Sequence, residues 1–131
     1  MSVIDAERLA VCRLDPSAAL PDWLPGVRGF VSVTRTTDEL SIICREELVP
    51  ADVRCERGFT LLKVEDPLPF DAVGIIARLA TVLAAAQISL IPVGTFDTDY
   101  ILIRVVDAER AIDALRREGY AVRQQTVERR D

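Results

Sequence analysis

The sequence contains no histidine. That removes the commonest general base and the commonest metal ligand together. With them go a Cys–His dyad, a Ser–His–Asp triad and any zinc site that needs an imidazole. Basic residues are outnumbered, 16 Lys and Arg against 21 Asp and Glu, for a net charge of −5. Such a balance argues against a phosphate-backbone surface, and no nucleic-acid partner is expected. The basic tail Arg123…Arg129-Arg130 is short and interrupted by Glu128. No apolar run approaches the roughly 18 residues of a membrane helix, so no membrane partner is expected either. Met1–Arg8 lacks the basic-then-apolar order of a secretory signal, which makes the cytoplasm the expected location. Only three cysteines are present, Cys12, Cys44 and Cys55, an odd number with no CxxC spacing. They read as buried or half-buried strand thiols in a reducing compartment. Aromatics make up 5% of the chain and include a single tryptophan, Trp23, best read as a plug over the core.

What remains is an apolar chain of 131 residues, half of them hydrophobic, long enough for a sizeable core. Its mean hydropathy is +0.20. The stretch Phe70–Val105 organises the rest. Ile75, Ile76, Leu79, Val82, Leu83 and Ala86 fall on one stripe of a helix expected over Ala72–Ala86, with Asp71 as its N-cap. Pro67 and Pro69 keep that helix from starting much earlier. Ile88–Val93 and Tyr100–Val106 then read as a β-hairpin around Thr95-Phe96-Asp97-Thr98-Asp99. Phe59–Glu65 supplies a strand before, Ala108–Arg117 a helix after and Ala121–Val127 a last strand, which completes a βαββαβ unit. Pro92 cannot donate to a ladder and marks Ile88–Val93 as an edge strand, as a ferredoxin-like order requires.

Upstream, Glu7–Leu14 reads as a strand, Phe30–Arg35 and Leu40–Arg45 as a second hairpin, Glu46–Val49 as one helical turn and Val53–Glu56 as a short strand. Val33–Ile43 overlays Val93–Ile103 without a gap, which sets Glu39 opposite Asp99. The expected fold is therefore α/β (α+β): two tandem ferredoxin-like units, the first with reduced helices. The boundary is placed at Gly58, giving units over 1–57 and 58–131.

Asp66-Pro67, Gly74-Ile75-Ile76 and Leu83-Ala84-Ala85-Ala86-Gln87-Ile88-Ser89 resemble the acidic turn, Gly-led helix and strand of the ACT domain, a small module that binds amino acids and related effectors. The Thr95–Tyr100 turn is similar to that of the branch containing the cytosolic arginine sensors of animals, the CASTOR proteins, and small bacterial relatives. The resemblance covers nearly the whole chain. It implies a ligand held between ACT units by the loop before the helix, the Thr-Phe-x-x-Asp turn and a facing edge strand. Here those are Pro69, Phe70, Asp71, Gly74 and Ile75, then Thr95, Phe96 and Asp99, then Ser89 and Leu90. A glycine of the arginine sensors falls at Pro69, which has no N–H to donate, so the resemblance does not carry arginine over as the ligand.

The residues alone leave two readings of this site open. Asp97 and Asp99 can accept from an ammonium or guanidinium, and a helix N-terminus favours an anion. Equally, Asp97 and Thr98 can simply make a turn, and Asp71 can simply cap a helix. Asp71, Asp97 and Asp99 give three oxygens without EF-hand spacing, so no metal site is read. No cofactor and no catalytic constellation is read either. The expected function is amino-acid binding by a regulatory homodimer that pairs through the edge strand Ile88–Val93. The alternative is a ligand-free assembly module that uses the same edges.

Overall fold

The computed structural model describes residues 2–24, 29–64 and 74–125. The fold is mixed α+β, with antiparallel ferredoxin-like sheets and few helices. Its strands are β1 (Ser2–Leu14), β2 (Ser32–Arg35), β3 (Leu40–Arg45), β4 (Cys55–Lys63), β5 (Ile91–Gly94), β6 (Asp99–Arg104) and β7 (Arg123–Gln125). Its helices are α1 (Ile75–Ala85) and α2 (Ala108–Arg117). The chain divides into two compact units, one of Glu7–Gly58 and one of Met1–Ala6 with Phe59–Asp131.

In the smaller unit β3 lies between β1 and β2, antiparallel to both, with Leu14 opposite Leu40 and Arg35 opposite the same Leu40. Alternation sends Leu40, Ile42 and Cys44 to the face that carries Ala10 and Cys12, and these form a core with Val49. Trp23 and Leu24 pack against it, as the plug reading expects. Helical structure here, among the described residues, is limited to one 3-10 turn, Glu46–Leu48. The two units divide at Gly58, the residue where the boundary is expected, although β4 runs unbroken through it, so the short strand expected over Val53–Glu56 belongs to a longer one. Gly58 takes φ +84, open to glycine and strained for other residues, and its N–H donates to Glu46 Oε2 at 3.0 Å. The site lies inside a strand, with its donor satisfied, rather than at a strand end.

The larger unit pairs β4 with β6 and β6 with β5, all antiparallel. β5 ends that order, so Pro92 does sit on an edge strand. The six apolar positions read as one stripe of α1 face a single core. Leu79 and Leu83 are buried there, while Ile75, Ile76, Val82 and Ala86 pack partly buried beside them. Ala111, Ile112 and Leu115 of α2 complete that core with Leu62, Ile101 and Ile103. Arg110 ties the helices by donating to the Ala86 carbonyl at 2.9 Å. α2 has the expected bounds. β7 pairs in parallel with Ser2–Ile4 of β1, a non-local partner that local patterning gives no hint of.

Two bounds shift for identifiable reasons. α1 begins at Ile75 after Gly74, which takes φ +83 as N-cap without a side-chain bond. The expected cap Asp71, with residues 72–73, lies outside the described residues. β5 begins at Ile91 rather than Ile88, because Ile88 belongs to the end of α1. The Ile88 N–H donates to the Leu83 carbonyl and the Gln87 N–H to the Ala84 carbonyl, each at 2.9 Å, which is a Schellman cap. Residue 87 must then be left-handed, and Gln87 is, at φ 60. That conformation costs an L-residue about 1–2 kcal/mol, partly offset by the entropy that glycine would bring to the unfolded chain. Gln87→Gly is therefore expected to raise stability by about 0.5–1 kcal/mol in urea unfolding. A loss of stability would show that the Gln87 side chain makes a compensating contact.

The hairpin overlay is also corrected. Arg35 faces Leu40 across one turn and Gly94 faces Asp99 across the other. The Thr36 N–H donates to Glu39 O and the Thr95 N–H to Thr98 O, so Thr36 matches Thr95. Asp99 therefore corresponds to Leu40, not Glu39, and Asp97 corresponds to Asp38. The overlay slipped by one because Leu40 is wholly buried while Asp99 is half-buried, and side-chain character hid the shared register.

Candidate functional site

The turn between β5 and β6 is built by threonine. Both the Thr95 N–H and its hydroxyl donate to the Thr98 carbonyl, at 2.8 and 3.0 Å. This closes the turn and exposes Phe96, which keeps 78% of its surface, together with Asp97. Asp99 differs from Asp97 in being half-buried at the first position of β6. A methyl group added to Gly94 would stand 3.3 Å from Asp99 Oδ1, so glycine makes room for the carboxylate against the β5 backbone. The Val64 N–H donates to the Asp99 carbonyl at 2.9 Å. The chain thus leaves its last described residue before 65–73 from beside Asp99.

Thr95, Phe96, Asp97 and Asp99 are gathered at that one turn. Pro69, Phe70 and Asp71 lie outside the described residues. Ser89 and Leu90 precede β5 at the end away from the turn. Leu90 lies five residues before Thr95, roughly 16 Å if extended. Leu90 and Ile75 both pack on the core of the larger unit, which is a sufficient reason for their apolar character. Ser89 is exposed.

Gly74 instead borders a groove between α1 and the end of α2, with a volume of about 660 Å³. Arg78, Thr81 and Val82 line one side, and Glu118, Gly119 and Tyr120 the other. The Gly119 N–H donates to Arg116 O and the Tyr120 N–H to Leu115 O, a Schellman cap that turns the chain and brings Glu118 and Tyr120 to the groove. The Thr81 hydroxyl is committed to Ala77 O at 2.8 Å, and Arg78 Nε donates to Gly74 O at 3.4 Å. A guanidinium and a carboxylate on one cavity of this size complement the two ends of a small zwitterion. Sequence reasoning missed Arg78, Glu118 and Tyr120. The one available signal was Arg78, a charge within an otherwise apolar helix.

A crystal structure of protein Atu0741 from Agrobacterium tumefaciens is similar over nearly the full length. Identity is 35%, covering 99% of this chain and 94% of that one, at a TM-score of 0.85. The ACT-domain family model matches residues 54–117, which hold β4 through α2. That stretch is an ACT domain. A model for the N-terminal domain of a further family matches residues 7–52, ahead of the ACT domain. Lower in identity are protein VC0802 of Vibrio cholerae, described as a possible transport protein, and the aspartate kinase of Clostridium acetobutylicum. The first is 23% identical over 90% of this chain and 88% of its own, at a TM-score of 0.73. The second is 15% identical over 87% and 34%, at 0.62. Both share the fold of this chain. No curated protein sequence matches the chain. Among the described residues no helix is long and apolar enough to cross a membrane.

Proposed function

We propose that this chain is a cytoplasmic regulatory protein that binds a free amino acid and works as a homodimer, with no catalytic step of its own. ACT domains generally bind small ligands for regulation, and the ACT domain over residues 54–117 supports that much for this chain. The observation that carries the finer reading is Asp99. Its half-buried carboxylate lies against the β5 backbone at the point where the chain enters residues 65–73. The ligand's cationic group pairs with Asp99, and the arginine-sensor resemblance assigns its carboxylate to Pro69–Ile75. The Thr95-Phe96-x-x-Asp99 pattern supports placing the protein near that branch. The aspartate kinase that shares the fold is itself described as allosteric.

Thermal shift against the twenty amino acids tests the reading. A ligand at a hundredfold excess over its Kd stabilises the folded state by about 2.7 kcal/mol. One amino acid or a small chemical group of them is expected to shift the melt. No shift from any would favour an assembly module that uses its edge strands for protein contact. The homodimer has its own check in light scattering. β5 presents an edge with half-buried Ile91 and Val93, and such edges tend to be paired or protected. A dimer is expected at tens of micromolar, and a monomer there would remove this part of the reading.

A further inference from the structure

All three cysteines meet in the smaller unit. Cys12 on β1 and Cys44 on β3 are buried in its core, and Cys55, the first residue of β4, packs half-buried against it. β1 neighbours β4 in the sheet, and the Arg13 N–H donates to the Arg54 carbonyl at 3.0 Å, which sets Cys12 beside Cys55. The Cys44 thiol nearby, then burial, holds Cys12 well above the ordinary thiol range. The Cys12 thiol lowers Cys44, helped by Arg57, whose guanidinium is anchored on the Glu46 and Val49 carbonyls at 2.7 and 3.1 Å.

Register decides which pair can join. Cys12 stands opposite Ile42 and Cys44 opposite Ala10, so Cys12 and Cys44 are diagonal neighbours on one face. Diagonal Cα atoms are about 7–8 Å apart. Disulfides mostly require less than about 6.8 Å, so this pair cannot close without moving the sheet. Only Cys55 combines contact with Cys12 and access to solvent.

We propose that Cys55 and Cys12 form a modification site that takes hydrogen peroxide and closes to an intramolecular disulfide, leaving Cys44 reduced. The Cys55 sulfur attacks one peroxide oxygen and the O–O bond breaks. The product is the Cys55 sulfenic acid, and the departing hydroxide takes the thiol proton to leave as water. The Cys12 sulfur then attacks the Cys55 sulfur, the S–O bond breaks, and that oxygen leaves as a second water with the Cys12 proton. Two thiols and one peroxide become one disulfide and two waters, with sulfur oxidised and peroxide reduced. Cys44 is spared because burial keeps peroxide from it and its diagonal register keeps it from closing onto Cys12.

The test is peroxide treatment of the full chain, alkylation and tryptic mapping. Cleavage after Arg8, Arg13, Arg35, Arg45, Arg54 and Arg57 places each cysteine in its own peptide. The three free thiols are expected to fall to one, with Leu9–Arg13 linked to Cys55–Arg57 and Thr36–Arg45 alkylated. Cys55→Ser, a change at a half-buried strand end, is expected to keep both remaining thiols. A Cys12–Cys44 link, a disulfide between two chains, oxidation confined to Cys44, or three surviving thiols would each overturn the proposal.

Discussion

Leu83→Ala is expected to cost about 3 kcal/mol of unfolding free energy, the middle of the 2–5 kcal/mol range for a leucine cut to alanine in a packed core. Leu83 has no exposed surface and lies in one cluster with Leu79, Ile88, Ile112 and Leu115, drawn from both helices and the turn between α1 and β5. Its carbonyl receives the Ala86 and Ile88 N–H groups, at 3.1 and 2.9 Å, so the residue also anchors the α1 cap. The substitution leaves those backbone bonds in place. Alanine is the best helix former, so helix propensity does not add to the loss. What disappears is the buried isobutyl group, and a cavity takes its place. Against a typical total of about 5–15 kcal/mol, this is a large share. Ala84→Gln on the exposed face of the same helix is the comparison and should stay within about 0.5 kcal/mol. Urea unfolding of the two variants reads the difference directly. A Leu83→Ala loss below about 1 kcal/mol would mean that the site collapses onto the deletion and that α1 does not key this core.

Leu83 was legible in the sequence because helix periodicity is local. So were α2, whose bounds fall where the pattern put them, and the two turns, whose threonine chemistry spans four residues. The edge position of β5 followed from Pro92 alone. Misplaced features share a different character. Ile88 has the β-branched look of a strand, yet a helix cap claims its N–H and the core claims its side chain. Gly58 looks like the end of a strand, yet a carboxylate from twelve residues away satisfies its N–H inside an unbroken one. The pairing of β7 with Ser2–Ile4 joins the two ends of the chain, and no window of sequence contains both. The candidate site divides along the same line. Thr95, Phe96, Asp97 and Asp99 were readable because one hairpin brings them together. Arg78, Glu118 and Tyr120 were not, because they meet only when α1 packs against α2.

That division frames the second large effect. Asp99→Ala is expected to weaken binding of the amino acid that gives the greatest thermal shift by roughly thirtyfold or more, since each 1.4 kcal/mol is a factor of ten. Removing one partner of a desolvated, charge-assisted pair typically costs about 2–5 kcal/mol. Asp99 suits that role because it is already partly withdrawn from water, whereas Asp97 in the same turn stays exposed. Fold stability should change by less than about 1 kcal/mol, because the ladder at Asp99 is a backbone matter and alanine keeps it. Gly94→Ala should act in the same direction more weakly, since its methyl group would displace the carboxylate without deleting it. Asp97→Ala controls for loss of negative charge at the turn and should bind nearly as the parent does. Glu39→Ala is a poorer control than the sequence overlay implied, because Leu40 holds the matching position. Arg78→Ala decides between the turn and the groove. Calorimetric titration of these variants gives a clear partition. If Asp99→Ala binds normally while Arg78→Ala does not, the amino acid lies between α1 and α2, and the Asp99 carboxylate only closes a hairpin.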